Sequence, residues 1–294
     1  MTDAQASGRA PVAIVTGASR GAGRGIALAL GQHGCIVYVT GRSQQTGDHT
    51  LPGTIYETAE AVTAAGGQGI AVRCDHADDA DVAALFERVR SEQGRLDILV
   101  NNAAAIYDEL MHPGQFWEKP LKLADLIDVG VRSGYVASWH AAQAMAAQDS
   151  GLIVFTSASG AAHYSLGAAY GAHKAGMDKM AFDMAADFRH AAKSVAAVSI
   201  WMGALLTDRL KGIIAADPAK FGHLEGNCES PEFTGHVIWA LSQDPDIAAL
   251  SGKTLVGAEI ARKYALTDNG RVPPTAGELH PGLAPVVYHP AVVR

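Results

Sequence analysis

Tyr170-Gly171-Ala172-His173-Lys174 sets a phenol and an ammonium one helical turn apart. A free tyrosine titrates near pH ~10, and a neighbouring ammonium favours its phenolate. Such a tyrosine gives a proton to a carbonyl oxygen or takes one from an alcohol. The lysine is out of place for a surface residue. At i, i+3, i+4 spacing it shares a helix face with Tyr170, Met177, Ala181, Met184 and Phe188. That face is otherwise apolar, and a buried ammonium is costly without a partner. Two hydroxyls precede the tyrosine: Ser157 by thirteen residues and Ser159 by eleven. Either could hydrogen-bond an oxygen on which charge develops.

These groups need a scaffold, and the chain offers a repeating one. Short apolar runs recur at Val12-Ala13-Ile14-Val15-Thr16, Cys35-Ile36-Val37-Tyr38-Val39-Thr40, 69–72, 96–100, 152–156 and 195–201. They lack in-out alternation, as strands of a parallel sheet buried on both faces do. Alanine-rich stretches such as 79–90 and 168–190 lie between them. This alternation predicts one α/β domain, a Rossmann-type doubly wound parallel sheet with helices on both faces, over 1–267. Segments 43–53 and 105–121 read as loops. The proline-containing tail, 268–294, reads as no domain, either mobile or packed against a neighbour.

The first strand runs into Thr16-Gly17-Ala18-Ser19-Arg20-Gly21-Ala22-Gly23, and a helix opens with Gly25-Ile26-Ala27. A strand, a glycine turn and a helix start together form a dinucleotide site. Glycines permit a tight turn, and the helix N-terminus offers free N–H groups to a pyrophosphate. The spacing is G-x-x-x-G-x-G. With it the chain resembles the short-chain dehydrogenase/reductase family, whose fingerprint is T-G-x-x-x-G-x-G. The likeness spans roughly residues 10–260. Val129-Gly130-Val131-Arg132 and Ser251-Gly252-Lys253 with Ala261-Arg262-Lys263-Tyr264 are similar to the member-1-like branch.

The resemblance implies NAD(P)-dependent hydride transfer between a carbonyl and a secondary alcohol. Tyr170 would be the acid/base and Ser157, at the family's spacing, would polarise the oxygen. Ser159 remains second choice for the serine. Lys174 would bind the nicotinamide ribose and lower the Tyr170 pKa. Gly17, Ser19, Arg20, Gly21, Ala22 and Gly23 would hold the diphosphate. Asp75 would contact the adenine, with a helix N-cap as its alternative role, and His76 would contribute backbone. Asn102, Ala103 and Ala104, in Asn101-Asn102-Ala103-Ala104, would let the backbone approach the adenosine ribose. Gly203, Leu205 and Thr207 would grip the nicotinamide carboxamide.

The second strand ends in Gly41-Arg42-Ser43, with no carboxylate to hold a ribose 2′-hydroxyl. Arg42, and Arg20 in the turn, could meet a 2′-phosphate, so NADP is expected over NAD. Two departures from the family stand out: Gly130 aligns with its water-holding asparagine, and Met202 replaces its proline. Residues 105–117 and 161–166 would line the substrate pocket, with His163 and Tyr164 at hand. Phe116 and Trp117 would be its apolar wall or a packing anchor, and 205–217 a mobile lid.

Composition narrows the field. Hydrophobic residues are 48% and charged residues 18%, which excludes a disordered chain. The net charge of −7 disfavours nucleic acid, and no apolar run is long enough to span a membrane. The polar start MTDAQASGRAP leads into no secretory core. Three scattered cysteines and unclustered histidines indicate neither disulfides nor a metal. A reduced, cytoplasmic protein is expected. The family implies a homodimer or homotetramer, packed through residues 125–147 and 168–190. Two other functions stay open: a non-catalytic NAD(P)-binding sensor or assembly protein, and an NAD-dependent alcohol dehydrogenase.

Overall fold

A computed structural model describes residues 8–293. The residues before Gly8, part of the polar start, lie outside that range. The seven strands run parallel in the order β3-β2-β1-β4-β5-β6-β7. They are β1 Val12–Val15, β2 Ile36–Gly41, β3 Gln68–Arg73, β4 Ile98–Asn101, β5 Gly151–Ala158, β6 Val195–Met202 and β7 Thr254–Val256. The six apolar runs became β1 to β6. The three residues of β7 are too few to leave a pattern.

Side-chain alternation divides the core in two. Ala13, Val15, Val37, Val39, Ile98 and Val100 face one side. There they meet α1 (Gly21–Gln32) through Ile26 and Leu30, α2 (Ile55–Ala64) through Ile55 and Val62, and the C-terminal helices. Val12, Ile14, Leu99, Ile153 and Phe155 face the other. There they meet α3 (Asp79–Gln93), α4 (Ser133–Gln148) and α5 (Ala168–His190). The stripe read on α5 is the packed face: Lys174, Met177, Ala181 and Phe188 are buried, and so are His173, Asp178 and Ala185.

Shorter helices follow in the C-terminal half, among them α6 (Asp208–Ala216), α7 (Phe233–Ser242) and α8 (Gly257–Lys263). The tail packs on its own chain. Arg262 pairs with Glu278, and Tyr288 lies against Phe182, ring centroids 5.1 Å apart. Among the described residues no helix is long and apolar enough to cross a membrane.

Sheet order locates the ligand crevice. From β1 the chain builds outward through β2 and β3, then returns to β4 on the other side of β1. At that switch point the loops leaving β1 and β4 diverge, and a crevice opens beyond the strand ends.

Candidate active site

A cleft of about 420 Å³ occupies that crevice. Its lining includes Gly17, Ser19, Arg20, Gly21, Ala22, Gly23, Arg42, Asp75, His76, Asn102, Ala103, Ala104 and Thr207. Gly203, Leu205, Tyr170 and Lys174 are not part of this lining.

The glycine turn is held by close approach to β4. Gly17 has φ +64°, and a Cβ there would lie 2.8 Å from Ala103 Cα. A Cβ on Gly23 would run into the Gly17 carbonyl and the Asn102 amide. Asn102 donates its side-chain N–H to the carbonyls of Thr16 (2.9 Å) and Gly17 (3.1 Å). The Thr16 hydroxyl accepts the backbone N–H groups of Asn102 (2.8 Å) and Ala103 (2.9 Å). The first turn of α1 has no side-chain cap and no acid. Its free N–H groups therefore face the cleft as an anion cradle.

Cations gather around this cradle. Arg42 is largely exposed at the end of β2, with Asp75 3.9 Å away. Arg20 is half-buried and donates to the Pro52 and Gly53 carbonyls and the Ser43 hydroxyl. It thus fastens the 43–53 loop as the cleft wall. Arg209, which the sequence reading missed, enters the cleft from α6. It pairs with Asp108 and donates to the Ile106 carbonyl, closing α6 onto the 105–110 loop. Thr207 caps α6 by accepting from Leu210 N–H.

Asp75 does not cap α3; Asp78 does, accepting from Ala80 N–H. The Asp75 carboxylate accepts from Ala77 N–H in a tight turn. His76 is buried, with its ring 2.8 Å from the Thr40 hydroxyl, and burial pushes its pKa down to about 4.

Ser157 lies near the end of β5, and Tyr170 and Lys174 lie in the first turns of α5. The Lys174 ammonium donates to the Thr156 carbonyl at 3.1 Å and lies 5.5 Å from the Tyr170 ring centre. The Ser157 hydroxyl donates to the Lys174 carbonyl at 3.1 Å. It is completely buried, so it buttresses α5 in this form of the protein. The turn Ser159–Ala161 abuts the phenol: a Cβ on Gly160 would lie 2.7 Å from the Tyr170 ring.

Burial dominates the electrostatics here. It pushes Tyr170 up to about 12, where a lowered value was expected, and Lys174 down to about 8. Asp178, one turn beyond Lys174, opposes the lysine shift with its charge. Its carboxylate accepts from the Ser199 hydroxyl (2.6 Å) and the Trp201 indole (2.8 Å). Sequence held a signal for it: an acid four residues after the lysine on a stripe already read as buried.

Gly130 also has a counterpart. The His173 ring lies where a side chain at position 130 would stand, 2.8 Å from a Cβ built there. It is 1% exposed, and neither ring nitrogen has a hydrogen-bond partner among the described residues. Burial holds the imidazole neutral. The π-helical turn Ile127–Arg132 carries Gly130, and its Val129 lines the cleft.

Beside Tyr170 is a small apolar cluster of Leu110, Leu123 and Leu126, with Ile106, Tyr107 and Leu166 against it. Phe116 and Trp117 are no packing anchor: both are exposed and touch each other edge to face.

Comparison with known proteins agrees with this geometry. The short chain dehydrogenase family model matches residues 11–217. Dehydrogenase/reductase SDR family member 1 of Homo sapiens is 40% identical over 268 residues, 87% of this chain and 82% of that protein. The 3-oxoacyl-[acyl-carrier-protein] reductase of Synechocystis is 30% identical over 83% of this chain and 94% of its own. A crystal structure of a short chain dehydrogenase from Mycobacterium thermoresistibile superposes with a TM-score of 0.73 at 27% identity. It covers 88% of this chain and 89% of that one. This chain belongs to the short-chain dehydrogenase/reductase family, as an oxidoreductase of CH–OH groups that works with NAD(P).

Proposed function

We propose that the protein is an NADP(H)-dependent oxidoreductase interconverting a carbonyl and a secondary alcohol, with Ser157, Tyr170 and Lys174 as its reacting residues. The observation that carries this reading is a buried lysine packed beside a half-buried tyrosine at the strand edge. Neither burial nor position has a use in folding alone, since an apolar residue would pack there at lower cost.

The cleft fits a dinucleotide. It has an uncapped helix start for a diphosphate and backbone at Asn102, Ala103 and Ala104 for a ribose. Arg42 stands just past the end of β2, a strand end that itself carries no acid, and its guanidinium favours NADP over NAD although Asp75 lies 3.9 Å away. Gly203, Leu205 and Thr207 follow β6 and would hold the nicotinamide end. When bound, the cofactor supplies or accepts the hydride.

Tyr170 then moves the proton. Its high pKa keeps the phenol protonated at neutral pH, the form that donates to a carbonyl oxygen. Lys174 holds a hydroxyl of the adjacent ribose and steadies the phenolate left behind. Ser157 shares the substrate oxygen with Tyr170 once its hydroxyl turns from the Lys174 carbonyl. The apolar cluster at Leu110, Leu123 and Leu126 walls the substrate on one side. Assembly as a dimer or tetramer fits α4, which exposes Tyr135 and Trp139.

A non-catalytic role draws on one observation, the engagement of Ser157 with the helix backbone. Tyr170→Phe separates the two readings. The substitution is expected to lower carbonyl turnover by about 100-fold or more while NADPH affinity holds. Undiminished turnover in that variant rejects the assignment.

A further inference from the structure

Residues 228–231 join three parts of the chain that sequence leaves far apart. On one side they pair with the loop after β6. Glu229 N–H donates to the Ala204 carbonyl at 2.7 Å, and Leu206 N–H donates to the Glu229 carbonyl at 2.9 Å. On the other side the turn at 268–271 braces them. Ser230 N–H donates to the Asp268 carboxylate and the Arg271 guanidinium to the Cys228 carbonyl, both at 2.6 Å. Pro231 lies against Gly25 of α1 so closely that a Cβ at 25 would strike it.

The Glu229 side chain points inward. The residue is 2% exposed, and its Oε2 has no hydrogen-bond partner among the described residues. Its carboxylate accepts the backbone N–H of Gly203. A Cβ on Gly203 would lie 2.7 Å from Oε1, so glycine alone leaves room for the carboxyl group. Taking a carboxyl out of water is unfavourable, and burial pushes this one up to about 7. A purely structural filler at that place would be apolar.

We infer that Glu229 is a positioning residue for the cofactor: it fixes the backbone of 203–207 through Gly203, braced from behind by the Asp268–Arg271 turn. The inference rests on the cofactor reading above, in which 203–207 grips the nicotinamide half. It makes the start of the C-terminal tail part of the cofactor site without contact to the cofactor itself.

The test compares NADPH with 2′,5′-ADP, which carries the adenine half alone, on the full chain. Glu229→Ala is expected to weaken NADPH about tenfold and leave 2′,5′-ADP within about twofold. Glu229→Gln keeps an acceptor oxygen for Gly203 N–H and is expected to recover most of that loss. Asp268→Asn, which loosens only the brace, is expected to show a smaller loss of the same kind. It keeps the test open should Glu229→Ala fail to fold. Equal weakening of both ligands, or of neither, overturns the inference. Wild-type protein that binds neither ligand overturns the cofactor reading instead.

Discussion

Lys174 shows how function is bought against stability at a single residue. Its folded pKa of about 8 lies below the ordinary 10.5, so the folded state disfavours the ammonium. Below pH 8 that cost is present in full. It fades as pH rises from about 8 to 10.5, where the unfolded chain still binds the proton and the folded chain does not. Lys174→Met is therefore expected to abolish turnover and raise stability at pH 7 by roughly 1–3 kcal/mol. Thermal unfolding across pH checks it: the advantage should shrink toward pH 10.5. A variant less stable than wild type at pH 7 would contradict this reading. Tyr170 and Lys174 were legible because one helix turn and one apolar stripe reveal them. His173 was not given a role, because the space it fills is emptied by Gly130, a residue distant in sequence.

At the scale of elements, the β1–α1 turn works only while nothing intervenes between Gly17, Gly23 and β4. Gly23→Ala would press a methyl group onto the Gly17 carbonyl and the Asn102 amide. Both are fixed by hydrogen bonds and neither can yield. The variant is expected to lose at least tenfold in NADPH affinity and ~1–3 kcal/mol in stability. Fluorescence titration with thermal unfolding measures both, and unchanged affinity would show that the turn does not contact the cofactor. This turn was read from sequence because its residues are contiguous. So were β1 to β6, whose runs are apolar on both faces. Arg209 and Glu229 were missed for the opposite reason. Arg209 reaches the cleft because α6 folds back onto the 105–110 loop, and Glu229 meets Gly203 across 26 positions. No local period marks either contact. Likewise the tail read as mobile or packed against a neighbour because its anchors, Asp268 to Ser230 and Arg271 to Cys228, join distant segments.

Across the whole molecule, charge and topology point to one kind of ligand. The chain carries a net charge of −7, which repels large polyanions. Yet Arg20, Arg42 and Arg209 line the one crevice that the strand order opens. A small anion is drawn there and an extended one is not. The end of β2 itself carries no acid, and the largely exposed Arg42, 3.9 Å from Asp75, can turn to a ribose phosphate. The most direct measurement is a paired titration of the purified protein with NADPH and NADH, followed by nicotinamide fluorescence. NADPH is expected to bind at least about tenfold tighter than NADH. Tighter binding of NADH would contradict the assignment of NADP, and no binding of either would contradict the dinucleotide site on which the whole mechanism stands.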